Sequence, residues 1–329
     1  MLKDKKILVV GAGGFIGGHL VKRLLQNGNS IIAVDIKPKE LWFQEFKEVQ
    51  NHYSVDMKLL ENCKNLTTKI DYVFNMACNM GGMGFIENNK AECMQSVLIN
   101  TNLLLSSKNN NVSKYFFSSS ACAYNTSKQN NSFIEGLKED DAYPANPEDG
   151  YGWEKLFSER MCRHFMEDYG IEVRIARYHN IYGPFGTFDG GREKAPAALC
   201  RKIIQSQINK EGKIEVWGDG KQTRTFLYID DCIEGTLRLF ESDYSEPVNI
   251  GSDEQVSINQ MIDIIQKISK IKKLNRQYQL DKPKGVRGRN SNNDLIRKQL
   301  NWDPKYTLQS GLDKTYQWIF SEIKKKHNQ

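Results

Sequence analysis

The sequence predicts an α/β fold: a doubly wound parallel sheet with a smaller C-terminal α/β lobe. Three observations point there. The apolar strand pattern of residues 6–10 runs directly into a glycine-rich turn and a helix carrying Leu20, Val21, Leu24 and Leu25. Short apolar strands go on alternating with helical stretches through the first half of the chain. A late strand pattern, Pro-Val-Asn-Ile at 247–250, rejoins the first sheet after an intervening segment.

The turn reads Gly11-Ala-Gly-Gly14-Phe15-Ile16-Gly17. Glycines at every third position let the backbone turn tightly and let a pyrophosphate approach the N–H groups that open the helix, where the dipole favours anions. This is the signature of a Rossmann-like dinucleotide cradle. The second strand, 30–34, ends in Asp35, at the distance where an acid meets the ribose hydroxyls and favours NAD over NADP. Lys37 reads either as a contact for a 2′-phosphate or as an ordinary surface lysine. Asp56, just past a third strand at 52–55, reads either as a partner of the adenine amino group or as a helix N-cap. Further strands are expected at 72–76 and 115–119, with helix over 90–108. The polar, aperiodic stretch 125–146 is expected to be an exposed loop at the carboxyl edge of the sheet.

Composition narrows the function classes. The chain has 329 residues, room for about two domains, with 39% hydrophobic and 26% charged residues, as in an ordinary globular protein. No apolar run approaches a membrane span and no cleavage-type leader is seen, so the expectation is a cytosolic protein without a membrane partner. The net charge is +6, and the lysine runs at 3–6 and 324–326 read as solvated ends rather than a nucleic-acid surface. Seven scattered cysteines without C-x-x-C spacing suggest neither a disulfide framework nor a metal site.

The chemistry is concentrated later. Tyr151-Gly-Trp-Glu-Lys155 opens a helix, and side chains four apart share a face. An ammonium beside a phenol, together with a bound nicotinamide, favours the phenolate, a usable general base. The strand-end cluster Ser118-Ser119-Ser120 offers a hydroxyl to the same reacting alcohol. Cys122 lies two residues past that cluster, where a neighbouring cation would raise its thiolate fraction. Lys194 lies in a polar run just before a helix starting at Ala195-Pro196, and it reads either as a lysine projected into a cleft or as a surface lysine. Arg201, Lys202, Arg224, Arg287 and Arg289 are spread over three segments. Convergent cations of this kind suit a diphosphate, although Arg201 and Arg287 also read as plain surface charges.

With these residues in view, the chain resembles the nucleotide-sugar branch of the extended short-chain dehydrogenase/reductase superfamily. The marks are the glycine turn, Asn75-Met-Ala77, the serine cluster, Tyr151 and Lys155, and Arg177-Tyr-His-Asn180-Ile-Tyr-Gly-Pro184. Within that branch it is similar to the GDP-mannose 3,5-epimerase family. The similarity lies in Met80-Gly-Gly-Met-Gly84, Ser120-Ala-Cys122-Ala-Tyr124, residues 186–201, 217–224 and 248–254, and Gly285-Val-Arg-Gly-Arg-Asn290. The chain departs from the family pattern at Cys78-Asn79 and at Asn125, both bordering the site.

The resemblance implies NAD as a recycled cofactor, GDP-mannose as substrate and GDP-L-galactose as product, with GDP-L-gulose as a second product. It implies Cys122 and Lys194 as the acid–base pair beside a transient 4-ketone. It places Lys202, Gln222, Arg224 and Arg289 on the GDP moiety, and Gly81, Asn180 and Glu193 around the sugar. It also implies a cytoplasmic homodimer, and it leaves the pathway open between ascorbate precursor and surface polysaccharide. Another nucleotide-sugar epimerase or dehydratase, for instance on a GDP-heptose, and a non-catalytic NAD-binding regulator are the alternatives. The expected division is 1–176 plus 228–251 for NAD, and 177–227 plus 252–329 for the nucleotide sugar. Residues 256–275 and 306–325 are expected as packing helices through Ile262, Ile265 and Ile268, and Leu312, Tyr316, Ile319 and Ile323.

Overall fold

In the computed structural model, which describes residues 2–49 and 51–327, the apolar runs of the first half become strands buried on both faces, except the third, which stays largely exposed. β1 (Lys6–Val10) leads through the glycine turn into α1 (Phe15–Gln26), β2 (Ser30–Asp35) and the edge strand β3 (Asn51–Ser54). Then come α2 (Leu60–Leu66), β4 (Tyr72–Asn75), α3 (Met83–Asn88), α4 (Lys90–Met94), α5 (Ser96–Asn109) and β5 (Lys114–Ser120). The long helix α6 (Tyr151–Tyr169) and β6 (Glu172–Tyr178) follow. Alternation decides the two layers: Ile7 and Val9 join one apolar cluster, Leu8 and Val10 the other.

Next are β7 (Ile181–Tyr182), α7 (Ala195–Ile208), β8 (Lys213–Trp217), β9 (Thr223–Thr225), β10 (Leu227–Tyr228), α8 (Ile229–Glu241) and β11 (Val248–Ile250). Among the described residues seven strands form one sheet in the order β11-β6-β5-β4-β1-β2-β3, its pairs parallel. The order reverses between β1 and β4, and a ligand crevice opens where such a reversal occurs. The register pairs Val10 with both Val34 and Asn75, and Asn75 with Phe117. That alignment brings Gly11, Asp35, Met76 and the end of β5 to one edge of the sheet.

The second lobe is completed by β12 (Gln255–Ser257), α9 (Ile258–Ser269), β13 (Asn275–Gln279), β14 (Gly288–Arg289), α10 (Asp294–Leu300) and α11 (Leu308–His327). β12, β9 and β14 form a three-stranded sheet, and β8 pairs with β13. α7, α9 and α11 pack on one another through Ile203, Ile262, Ile265, Leu312 and Ile319.

Two sequence expectations need correction. The helix expected over 256–275 is α9 alone, because Ser257 caps it at one end and Lys270 in the left-handed region closes it at the other. The stretch 125–146 is not simply an exposed loop: Gln129, Leu137 and Ala142 are buried, and Leu137 N–H donates to the Asn290 carbonyl. Gln129 accepts the Arg287 N–H at its carbonyl and Arg289 of β14 at its side chain, while most of the other polar residues of the stretch stay exposed. Of the expected domain limits, residues 1, 50, 328 and 329 lie outside the described residues.

Candidate active site

The cofactor side is built by close backbone approach. A Cβ on Gly17 would lie 2.1 Å from the Gly11 carbonyl oxygen, and one on Gly11, at φ +86°, would lie 2.8 Å from Ala77 N. Only glycine fits this turn. Gly14 caps α1 without a side-chain hydrogen bond, and no acid stands in the first helical turn. The N–H groups of Phe15 and Ile16 therefore open toward a positive helix end that suits a pyrophosphate.

Asp35 is buried at the end of β2, with Oδ1 accepting the Lys37 N–H at 2.9 Å. The Lys37 ammonium donates to the Gly13 carbonyl at 2.6 Å, beside the turn rather than out in solvent. Asp56 accepts the Lys58 N–H at 2.8 Å, three residues before the N-cap position of α2, so it closes a turn and does not cap that helix. These residues fit a dinucleotide with a free ribose diol.

At the end of β5, Ser120 Oγ accepts the Cys122 N–H at 3.2 Å, and the hydroxyl stands near enough to Tyr151 to act on its phenol. Tyr151 and Lys155 share one face of α6, with the ammonium 5.5 Å from the phenol ring centroid and fully buried. Burial, followed by the neighbouring Cys78, Cys122 and Glu154 side chains, holds the phenol well above its ordinary range. The ammonium also lies 3.4 Å from the Glu154 carboxylate, likewise buried, so part of its field is spent there. Lys155 alone thus does not bring the phenol toward neutrality.

Cys122 differs from expectation in the same way. A cation does touch it, Arg289 Nη1 at 3.2 Å from Sγ. Burial first, and then the Glu148 carboxylate, outweigh that cation and push the thiol up to about 11. The resting sulfur is therefore a thiol. Lys194 is the N-cap residue of α7, half-buried, with burial lowering its ammonium below the ordinary lysine range.

A cavity of about 300 Å³ gathers these groups. Tyr151, Ser120, Cys122, Lys194, Gly81, Asn180 and Glu193 line it together with Lys202, Gln222, Arg224, Arg289 and Trp217. The Met-Gly-Gly-Met-Gly loop explains how Lys194 is placed. A Cβ on Gly82 would meet the Glu193 carbonyl at 2.5 Å, and Gly82 N–H donates to the Arg192 carbonyl at 3.1 Å. Two chain segments touch there through bare backbone.

The basic residues divide. Arg201 is held by Glu193 at 2.8 Å and Arg287 by Asp219 at 2.9 Å. Arg289, expected on the diphosphate, has its three nitrogens on Cys122, Glu148 and Gln129. Lys202 donates to the Glu215 carbonyl and lies over Trp217, 5.8 Å from a ring centroid. Arg224 finds backbone carbonyls only, of Thr223, Lys284 and Val286. Gln222 donates to the Trp217 carbonyl and leaves Oε1 buried without a partner. Among the described residues no cluster of His, Cys, Asp and Glu has the makings of a metal site, and no helix is long and apolar enough to cross a membrane.

The profile of the NAD dependent epimerase/dehydratase family matches residues 7–251. GDP-mannose 3,5-epimerase of Arabidopsis thaliana is 48% identical over 325 residues, covering 98% of this chain and 84% of that protein. The chain belongs to this family, in the GDP-mannose 3,5-epimerase group. Among solved structures, UDP-glucose 4-epimerase from Thermotoga maritima with UDP-glucose superposes with TM-score 0.86 at 25% identity, over 97% of this chain and 99% of that one. UDP-glucuronic acid 4-epimerase from Bacillus cereus, in complex with UDP-glucuronic acid and NAD, superposes with TM-score 0.80 at 25% identity, over 97% and 99%.

For a member of this family, sequence reasoning missed three residues of the site. Glu148 stands beside Cys122, Glu154 beside Lys155, and Trp217 on the cavity wall. The signals were faint but present: a carboxylate three residues before Tyr151, another between Tyr151 and Lys155, and an aromatic at the end of a strand that alternates buried and exposed.

Proposed function

We infer that the protein is an NAD-dependent GDP-mannose 3,5-epimerase. It is an isomerase interconverting GDP-D-mannose and GDP-L-galactose through a transient 4-keto sugar, with GDP-L-gulose as a second product. The observation that carries the reading is one cavity holding Tyr151 and Ser120 together with two further proton-exchanging groups, Cys122 and Lys194. A simple 4-epimerase has no use for the second pair.

The steps follow from acidity. A C–H beside an unactivated hydroxyl cannot be deprotonated by a side chain near neutral pH, so a ketone must come first. Tyr151 Oη takes the proton of the C4 hydroxyl, with Ser120 Oγ holding that hydroxyl in line. When bound at the glycine turn, NAD supplies the hydride acceptor for C4 and the positive ring that, with Lys155, favours the phenolate. The carbons on either side of the carbonyl, C3 and C5, then become acidic. Cys122 Sγ and Lys194 Nζ exchange protons with them from opposite faces, and Tyr151 returns its proton as the alcohol is restored. Arg224 and Lys202 hold the diphosphate, Gln222 and Trp217 the nucleoside, and Gly81, Asn180 and Glu193 leave room for and orient the sugar.

The NAD lobe comprises 1–176 plus 228–251, and the nucleotide-sugar lobe the remainder. The working form is a cytoplasmic homodimer. Leu98 and Leu105 on α5 and Trp153 and Phe157 on the adjacent α6 are exposed at helical spacing, an apolar face that suits a second copy.

Incubation with GDP-mannose in deuterium oxide, read by mass and NMR, tests the reading. Deuterium is expected at positions 3 and 5 of the hexose; deuterium at neither overturns it.

A further inference from the structure

We propose that Glu148 is a positioning residue for proton exchange at Cys122, acting through Arg289 and through the negative charge it holds beside the sulfur. The proposal rests on Cys122 being the exchanging thiol. Glu148 is tied to Cys122 in three ways. Its N–H donates to the Cys122 carbonyl at 3.1 Å. Its Oε2 accepts Arg289 Nη2 at 3.0 Å, and Nη1 of the same guanidinium donates to Cys122 Sγ at 3.2 Å. The carboxylate also stands close enough to the sulfur for its charge to act on the thiol directly. Arg289 Nε is anchored on Gln129 Oε1 at 2.7 Å, so the fork cannot swing away. Both side chains are sheltered, at 12% and 5% exposure.

The groups facing the sulfur are Glu148, Arg289, the Ser120 hydroxyl and Tyr151, with Lys194 and Arg224 further out. Glu148 in turn faces Arg289, Cys122, Arg224 and Glu87. Three cations thus surround the sulfur, and of the groups facing it Glu148 is the carboxylate that balances them. An acid–base group that serves both steps of an inversion must give a proton as readily as it takes one. Without Glu148 the cations would favour a thiolate paired with Arg289, a weaker base with no proton to return. With Glu148 the proton stays on sulfur until an enolate carbon, deprotonated from the opposite face, accepts it, and the thiolate left behind can then take a proton in its turn. Only protons move, and the sulfur is neither oxidised nor reduced.

The test titrates Cys122 in the NAD-loaded protein without substrate, so its outcome does not depend on the epimerase reading. Initial alkylation by iodoacetamide is followed against pH at the Cys122 peptide by mass, with Cys122→Ser correcting for the other thiols. Glu148→Gln is expected to lower the midpoint by about one unit or more, giving roughly tenfold more thiolate at a fixed lower pH. Glu148→Asp, which keeps the charge, should stay near the parent. Arg289→Gln should act in the opposite sense, slowing alkylation about threefold or more near pH 9. An unmoved midpoint in Glu148→Gln, or shifts of the same sign in Glu148→Gln and Arg289→Gln, overturns the proposal. A variant that unfolds is recognised by alkylation of all seven cysteines, and the Glu148→Asp and Arg289→Gln arms then decide. In turnover, Glu148→Gln should slow deuterium entry from solvent at unchanged KM, and Glu148→Asp should restore it; full-rate entry in Glu148→Gln also overturns the role.

Discussion

Replacing Arg224 by Gln should make the ligand-free protein more stable and its nucleotide binding much weaker. Burial, and after it the neighbouring Arg289, hold this guanidinium to about 9. Against an ordinary 12.5, at 1.36 kcal/mol per pKa unit, that is an upper limit of ~5 kcal/mol of unfavourable charge burial. Hydrogen bonds to the carbonyls of Thr223, Lys284 and Val286, at 2.7, 3.3 and 2.7 Å, return most of it. A net cost of about 1–2 kcal/mol remains, so the variant should melt roughly 2–6 °C higher without ligand. On the proposed role of Arg224 as the diphosphate's cation, the same change also removes a charge-assisted contact of about 2–4 kcal/mol, or roughly 30- to 1000-fold in Kd for GDP. Thermal melts without ligand and calorimetric titration with GDP at low and high salt measure both sides. A lower Tm together with a Kd for GDP within about threefold of the parent would refute the assignment of Arg224 as the anion site.

Further outcomes follow from the same geometry. Tyr151→Phe should keep its NAD yet lose at least about 100-fold in rate and take up no deuterium at positions 3 and 5, since no ketone forms; continued uptake contradicts the order of steps. Cys122→Ala should still pass hydride to NAD, seen as absorbance of the reduced cofactor, but should not invert C3 and C5; inversion at the parent rate removes its role. Gly17→Ala sets a methyl 2.1 Å from a backbone oxygen, so purified protein should carry little NAD and lose about 2 kcal/mol or more of stability. Full NAD content in that variant would show that the turn is looser than argued. Leu98→Glu with Phe157→Glu should turn a dimer into a monomer by light scattering, and a parent that is already monomeric would remove the proposed interface.

Local spacing was enough to read the strand–turn–helix at 6–26, the sheet that follows it, the Tyr151–Lys155 pair and the helix starting at Ala195. Each depends on periodicity or turn chemistry within a few residues, which the chain states directly. Pro196 marks the first turn of α7 and so puts Lys194 at its N-cap, but whether that lysine faces a cleft or solvent was not legible from the sequence.

What tertiary structure alone decided is convergence and charge balance. Cys122, Glu148 and Arg289 are far apart in the chain and meet because β14 pairs with β9 and the 125–137 segment packs on that sheet. No local pattern announces such a meeting, so the sequence by itself gives no ground for separating Arg289 from Arg224. The protonation of Tyr151 and Cys122 is likewise a property of burial and of neighbours from other elements, Cys78 and Glu148 among them. A sequence names the ionisable groups; only the fold determines how much water and which opposing charges each of them keeps.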